Sequence, residues 1–398
     1  MDVGVGYSEN AESYGAGLDA VRDARMRCPG DACDLVLLFQ TALHDSELVH
    51  RGVREAAGTG ARILGGPAVG AISNDQLGYG GYQVGVAVFS FSGDGADIFT
   101  AGELAGNEEA VGRALGEALA GVAPGRARIV LYDSVNRRSG RMQLNMATPL
   151  LEGIRAQAGV QPTLVGAGLC GDMIGSPTRQ IIDDRICDQT AIALVLPPAV
   201  HMHTTVLHGC EPASDYRLVT RTDGPTILEL DGTPAVEVAQ SLLGDALPLD
   251  KYGFFVTLGI NTGEKWAPFD ESAYVNRLCL KVDRRRGGLV MFEPDIASGD
   301  EVQFMHRAVT MDSVAPRVEA VFRQAQGRRS VFALYIDCAG RAAAYSGLET
   351  EEAALVQAAV ADRVPLLGFY SGVEIGQIRG APRPLDWTGV FCLFSVAA

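Results

Sequence analysis

Two apolar runs near the end of the 398-residue chain constrain the fold more than any other feature, and each ends in residues whose side chains can bind a ligand. Residues 330–341 and 364–376 each begin with the pattern of a short buried strand. Between them, residues 348–362 are rich in alanine and glutamate, with apolar residues at helical spacing. The pattern predicts a strand, a helix and a strand. The two strands of such a unit are parallel, and ligands gather outside their carboxyl ends.

The two strand ends supply five candidate ligand-binding residues. The first strand ends in Cys338 and Arg341, and the second in Tyr370, Ser371 and Glu374. Three roles are open to Arg341: it lowers the pKa of the Cys338 thiol, it holds a ligand carboxylate, or it pairs with Glu374 in a structural role. The ring, hydroxyl and carboxylate of the second strand end suit a small polar ligand that carries an amine.

Asp172 is a sixth candidate, and it comes from the first half of the chain. It follows the glycine-dense segment at residues 166–171, which the pattern predicts to be a turn after a strand at residues 163–165. If the two halves of the chain face one cleft, Asp172 closes the far side of the site.

Composition excludes several classes of function. The net charge of −15 argues against non-specific binding to nucleic acid or to an anionic membrane, which needs a basic surface. No apolar run approaches the roughly 20 residues that a membrane helix needs, and the first residues lack the pattern of a signal peptide. The eight cysteines include no C-x-x-C pair, which favours reduced thiols. We therefore expect a cytoplasmic protein that binds neither nucleic acid nor a membrane.

The remaining pattern predicts two related domains. Strands and helices alternate in the first part of the chain, short strands at residues 190–230 indicate antiparallel pairing, and a second α/β region begins near residue 251. We predict an α/β fold with two mixed-sheet domains of related plan that face each other across a cleft. The predicted divisions are residues 1–225, a connecting segment at 226–250, and residues 251–398.

Histidines are the residues that a heme or zinc site would need. His201 and His203 face one side of a predicted strand, but no cysteine or carboxylate follows at a standard metal-ligand spacing. A solvated strand face explains that pair equally well, so no metal site is predicted. His208, on a turn after a predicted strand, is the better ligand candidate.

The order and spacing of several motifs resemble the FIST family, through its N-terminal and C-terminal domains and over nearly the whole chain. The most specific motifs are Asp337-Cys338-Ala339-Gly340-Arg341 and Gly368-Phe369-Tyr370-Ser371-Gly372-Val373-Glu374-Ile375-Gly376. Supporting motifs are Gly4-Val5-Gly6-Tyr7-Ser8, Val165-Gly166-Ala167-Gly168-Leu169-Cys170-Gly171-Asp172 and His208-Gly209-Cys210-Glu211-Pro212.

The resemblance implies a cytoplasmic sensory module that binds a small molecule, an amino acid or a small carboxylate, and signals to a partner in trans. That partner would be a histidine kinase or a cyclic-di-GMP enzyme. Some relatives are heme proteins that sense nitric oxide, so the resemblance also implies a heme-binding alternative, for which His208 is the candidate ligand. The residues themselves predict no cofactor, because they contain no axial-ligand motif for heme.

Two departures from the family pattern leave a third interpretation open. Residues 66–72 lack the hydroxyl and carboxylate groups of the corresponding family segment, and Asp386-Trp387-Thr388-Gly389 replaces an Asn-x-Thr-like motif. These changes are compatible with a stand-alone enzyme that acts on a small metabolite through the Cys338/Arg341 and Tyr370/Glu374 rim.

Overall fold

The structure is a computed structural model, and it describes residues 1–158, 163–244, 247–308 and 310–398. The strands as far as residue 207 are, in chain order, β1 (Asp2–Ser8), β2 (Leu35–Gln40), β3 (Arg62–Pro67), β4 (Gly70–Ile72), β5 (Leu77–Tyr79), β6 (Val84–Ser90), β7 (Asp97–Ala101), β8 (Arg128–Asp133), β9 (Val135–Asn136), β10 (Gln143–Leu144), β11 (Leu164–Leu169), β12 (Gln180–Ile182), β13 (Arg185–Cys187), β14 (Ala191–Val195) and β15 (His201–Leu207).

The later strands are β16 (Cys210–Pro212), β17 (Arg217–Asp223), β18 (Thr226–Leu230), β19 (Thr233–Pro234), β20 (Thr257–Asn261), β21 (Tyr274–Asp283), β22 (Gly288–Met291), β23 (Glu301–Arg307), β24 (Arg328–Cys338), β25 (Leu366–Ser371), β26 (Val373–Ile378), β27 (Ala381–Leu385) and β28 (Gly389–Ala397). The helices are α1 (Ser13–Arg27), α2 (Ser46–Ala57), α3 (Glu108–Leu119), α4 (Ala147–Ala158), α5 (Ala235–Leu243), α6 (Val314–Gln324), α7 (Ala343–Ser346) and α8 (Glu352–Val360). Among the described residues, none of these helices is both long and apolar enough to cross a membrane.

Three six-stranded sheets form the α/β part of the molecule. Their strand orders are β1-β6-β2-β3-β12-β13, β27-β26-β11-β8-β14-β7 and β15-β28-β24-β25-β4-β5. Each sheet contains a parallel pair (β2 with β3, β8 with β11, β24 with β25) among antiparallel neighbours. The predicted α/β fold with mixed sheets is therefore confirmed.

The two halves of the chain exchange strands. β26, from the last part of the chain, pairs with β11 in the second sheet, and β4, from the first part, pairs with β25 in the third. One hydrophobic core contains Phe39, Leu131 and Phe369, which come from the three sheets in that order. The Phe39 and Phe369 rings stack with centroids 3.7 Å apart. Since burying a side chain of this size stabilises a fold by roughly 1.5 to 3 kcal/mol, this core holds both halves together.

A closed antiparallel barrel is the second part of the molecule. Its strands pair in the order β17-β18-β22-β21-β20-β23, and β23 then pairs with β17. The sequence pattern placed β20 to β23 in the second α/β region, with the later strands and helices. They form the barrel instead, because they pair with β17 and β18 from earlier in the chain. The predicted boundary at residue 225 falls in the turn between β17 and β18. The domain boundaries stay a prediction, and residues 245 and 246 of the connecting segment lie outside the described residues.

The glycine-dense segment after residue 165 was predicted to be a turn, but it continues the strand. β11 runs through Gly166 and Gly168 before the chain turns. A Cβ atom on Gly166 would lie 1.9 Å from the carbonyl oxygen of Val130 on the neighbouring strand. Glycine at this position therefore serves the close approach of two strands.

The strand–helix–strand unit near the end of the chain is confirmed. β24 and β25 are parallel, and α8 lies between them in the chain. Their register pairs Asp337 with Tyr370 and Cys338 with Ser371, so the two carboxyl ends lie side by side. This register positions the candidate site.

Candidate ligand-binding site

Arg341 lies on a single 3-10 turn that follows β24 and is 5% exposed. Its Nη1 donates hydrogen bonds to the carbonyl oxygens of His208 (2.8 Å) and Trp387 (3.0 Å). Its Nη2 pairs with the carboxylate of Glu352, and its Nε lies 3.4 Å from Asp337 Oδ1. The structural pairing expected with Glu374 is thus made with Glu352 and Asp337. The guanidinium ties the end of β24 to the start of α8.

Ser371 and Glu374 form a second buried cluster on the other strand end. The Ser371 hydroxyl lies 2.8 Å from Glu374 Oε1 and 3.2 Å from the carbonyl oxygen of Asp337. Both side chains are essentially inaccessible to solvent. Burial raises the pKa of Glu374 well above its ordinary value, although the Ser371 hydroxyl opposes the shift. The sequence placed Ser371 and Glu374 at the same strand end, and in the structure their side chains are in contact and buried.

Tyr370 and Cys338 are also buried. The Tyr370 hydroxyl donates to Glu351 Oε1 at 2.9 Å, and its ring meets Tyr79 edge-on with centroids 5.3 Å apart. Burial raises the pKa of the Cys338 thiol well above its ordinary value, and the nearby Glu374 carboxylate raises it further. Because the thiolate is the nucleophilic form of cysteine, this environment disfavours covalent catalysis.

The Asp172 carboxylate accepts hydrogen bonds from the backbone of its own turn. Its Oδ1 accepts hydrogen bonds from the backbone N–H groups of Ile174 (3.1 Å) and Ser176 (3.0 Å). Among the described residues, no hydrogen bond or ion pair joins Asp172 to Arg341 or Glu374. The structure therefore gives Asp172 a local role in the loop after β11.

His208 is buried, and both of its ring nitrogens are engaged. Nδ1 accepts the backbone N–H of Cys210 at 3.0 Å, so the ring proton belongs on Nε2, which donates to the carbonyl oxygen of Glu271 at 3.0 Å. Burial lowers the pKa of His208 to about 4, although the Glu271 carboxylate opposes the shift. A heme iron needs a free nitrogen lone pair, and this arrangement leaves none. The residues around His208 do not fit a heme.

A cavity of about 240 Å³ opens beside Arg341, between the barrel and the third sheet. The side chains that give it its chemical character are Arg307, Arg341, His208, Glu352, Trp387 and Phe255. Of the six residues predicted to bind a small ligand, Arg341 is the one that lines this cavity, and His208, the candidate heme ligand, lines it as well. The candidate site therefore moves from the Ser371–Glu374 cluster to the cavity that Arg341 lines.

Arg307, at the end of β23, is the cavity residue that sequence reasoning missed. Its guanidinium lies over the Trp387 ring, 3.4 Å from the centroid, and its Nη2 donates to the carbonyl oxygen of Phe254 at 2.5 Å. Its Nε is buried without a hydrogen-bond partner, and no hydrogen bond is formed by Nη1 within the described residues. Desolvation lowers the pKa of Arg307 to about 10. In the part of the chain that the structure describes, no carboxylate pairs with this charge.

The backbone around Arg307 is strained. Phe254 and Trp387, which contact its guanidinium, have φ angles of +64° and +53°. Residues other than glycine rarely adopt this left-handed region, and such strain is concentrated at functional sites. The segment containing Trp387 is also the one whose sequence departs from the family pattern. That departure was the signal in the sequence that could have led to this site.

Comparison with known proteins identifies two family domains that follow one another along the chain. The sequence matches the FIST N domain over residues 34–233 and the FIST C domain over residues 235–377. It is 27% identical over 238 residues to the uncharacterized protein Rv0628c of Mycobacterium tuberculosis, an alignment that covers 58% of this chain and 61% of that protein. It is also 27% identical over 237 residues to the uncharacterized protein Mb0898c of Mycobacterium bovis, covering 58% and 60% of the two chains. The chain therefore spans about three fifths of the length of these relatives.

FIST domains are associated with sensory signal transduction and small-ligand binding. The two matched segments together span most of the sequence. The chain belongs to the FIST family.

Proposed function

We propose that this protein is a cytoplasmic sensor that binds a small carboxylate in the cavity beside Arg307 and signals to a partner in trans. The observation that carries the proposal is the Arg307 guanidinium, which lines the cavity and has no carboxylate partner among the described residues. Arginine side chains recognise carboxylates through parallel hydrogen bonds. A bound carboxylate would supply the counter-charge that the protein does not.

The energetics favour Arg307 over Arg341 as the ligand contact. Arg341 already has Glu352, Asp337 and two backbone carbonyls as partners. A ligand at Arg341 would have to displace these groups, whereas Arg307 has no carboxylate partner among the described residues for a ligand to displace. A hydrogen bond to a charged group contributes about 1.5 to 3 kcal/mol, which corresponds to roughly ten- to hundredfold in affinity.

A simple carboxylate fits the cavity better than an amino acid. An amino acid needs an acceptor for its ammonium group, and Glu352 is the carboxylate that lines the cavity. Its two oxygens already accept the Tyr335 hydroxyl at 2.7 Å and the Arg341 guanidinium. An ammonium group would therefore compete with an internal ion pair.

The position of the cavity supports a sensory role. Its lining combines Arg307 and Phe255 from the barrel with Arg341 and Glu352 from the unit of β24 and α8. A ligand that contacts both parts stabilises one arrangement of the barrel relative to the sheet. A partner that recognises this arrangement would then bind preferentially to the liganded protein.

The proposal is tested by isothermal titration calorimetry with propionate, compared with alanine and with propylamine. We expect propionate to bind, and Arg307→Met to weaken its binding at least about tenfold. Arg363→Met is the matched control, because the Arg363 guanidinium also stacks on a ring, that of Phe322, at 3.6 Å, outside the cavity. The proposal fails if propionate does not bind, or if the Arg307 variant binds it as tightly as the parent protein.

A further inference from the structure

A wide groove adjoins the cavity that Arg307 lines. Its volume is about 840 Å³, and it lies between the segment that precedes α6 and the surface of α8. The cavity and the groove share three lining residues: Thr310, Met311 and Leu348. The two spaces are therefore neighbours, and we treat them together as a combined site.

The wall of the groove is largely apolar. Met311, Leu348 and Leu355 line it and are each half-buried. Ala358 and Ala359 of α8 add small apolar side chains. Apolar surface that remains partly exposed gains free energy when a ligand covers it.

The charges within the combined site are separated. The groove is lined by the carboxylates of Asp312 and Glu349. The cavity contains the Arg341 guanidinium, which the Glu352 carboxylate already neutralises, and the Arg307 guanidinium, which has no carboxylate partner among the described residues. An anionic group is repelled from the groove and attracted to the cavity. The charges therefore orient a ligand with its anionic end at Arg307 and an uncharged end in the groove.

From this arrangement we infer that the ligand is an amphipathic carboxylate, with its head at Arg307 and an unbranched apolar tail along the groove formed by Met311, Leu348 and Leu355. This inference rests on the proposed function, because it assumes that the head group binds in the Arg307 cavity. It adds the chemical class of the ligand, a medium-chain aliphatic acid, and it assigns the groove as the tail site.

The test is calorimetry with butanoate, hexanoate and octanoate below their micelle concentrations, with octan-1-ol as the uncharged comparison. Each methylene that the groove buries fully is expected to tighten binding about fourfold. Octan-1-ol is expected to bind at least about tenfold more weakly than octanoate, because it lacks the charge that Arg307 recognises.

Two variants of α8 locate the tail. Ala358→Glu places a charge in the groove, and it should remove the gain from hexanoate to octanoate while butanoate binds as before. Ala354→Glu is the matched control, because Ala354 is exposed on the same helix and does not line the groove. It should leave the whole series unchanged.

The outcomes separate the two proposals. If all three acids bind with equal affinity and each depends on Arg307, the tail inference is overturned and the carboxylate site stands. If affinity increases with chain length but Ala358→Glu leaves that increase intact, the tail lies elsewhere and the inference is again overturned. If none of the acids binds, both proposals fail.

Discussion

Replacing Arg341 by methionine should destabilise the protein strongly, because the side chain is a buried structural link. The substitution removes the cation that faces Glu352 and Asp337, both of which are nearly inaccessible to solvent. Breaking a buried ion pair by removing one partner costs about 3 to 5 kcal/mol. Two buried carbonyl oxygens, those of His208 and Trp387, also lose a donor. We therefore expect a loss of at least about 4 kcal/mol, a large part of the roughly 5 to 15 kcal/mol that stabilises a typical domain.

The loss should depend on pH in a defined direction. Burial raises the pKa of Asp337, and the positive charge of Arg341 opposes that shift. Without Arg341 the pKa of Asp337 rises further. An acid whose pKa is higher in the folded state binds more protons folded than unfolded, so its destabilising effect grows as the pH rises through that interval. The deficit of the variant should therefore be smaller at pH 5 than at pH 8.

The free energy of unfolding is measured in guanidinium chloride, with the fluorescence of the two tryptophans as the signal. One of them, Trp387, accepts a hydrogen bond from Arg341 through its carbonyl oxygen. Arg221→Met is the matched control. Arg221 pairs with Glu229 at 2.8 Å on the surface, with 56% of its side chain exposed, and exposed pairs contribute about 0 to 1 kcal/mol. If Arg341→Met costs no more than this control, Arg341 is not a structural link and its assignment here is wrong.

Three further predictions follow from buried groups. Burial lowers the pKa of His208 to about 4, so between pH 6.5 and 4 the unfolded chain binds a proton that the folded protein excludes, and stability should fall as the pH drops through this range. His208→Gln should flatten this pH dependence in urea unfolding, and an unchanged dependence would contradict the assignment. Glu293 accepts the first backbone N–H groups of α4 at 2.8 Å, so Glu293→Ala should lower the free energy of unfolding by about 1 to 3 kcal/mol; a neutral result in the same denaturation assay would remove its capping role. Cys338, whose thiol pKa is raised by burial, should resist iodoacetamide in the native protein and react after unfolding, and mass spectrometry of the alkylated peptides would detect the opposite result.

The local sequence pattern was sufficient to predict the strand–helix–strand unit formed by β24, α8 and β25. The apolar runs that became β24 and β25 are short, continuous and bounded by polar residues, so period and length together indicate buried strands. Parallel pairing then follows from the intervening helix, and it places Cys338 beside Ser371. For this reason the sequence placed Cys338, Arg341, Tyr370, Ser371 and Glu374 at neighbouring strand ends, and their role in ligand binding stays a prediction.

The residues that line the cavity could not be inferred from local pattern. Arg307 ends a barrel strand, and a single arginine at a strand end carries no signal of its own. Its contact with Trp387 joins segments far apart in the chain, as does the pairing of β23 with β17 that closes the barrel. The structural role left open for Arg341 was a pairing with Glu374, but the start of α8 places Glu352 against its guanidinium instead. Such contacts depend on tertiary packing, which overrides what a short window of sequence contains.

The position of a bound carboxylate would show whether Arg307 is the group that binds the ligand. A crystal structure of the protein with butanoate at saturating concentration would show it. We predict a carboxylate oxygen about 2.7 to 2.9 Å from Arg307 Nη1, the range of charge-assisted hydrogen bonds, with Arg341 still paired to Glu352. Butanoate bound away from Arg307, or a cavity without butanoate at that concentration, would contradict the account.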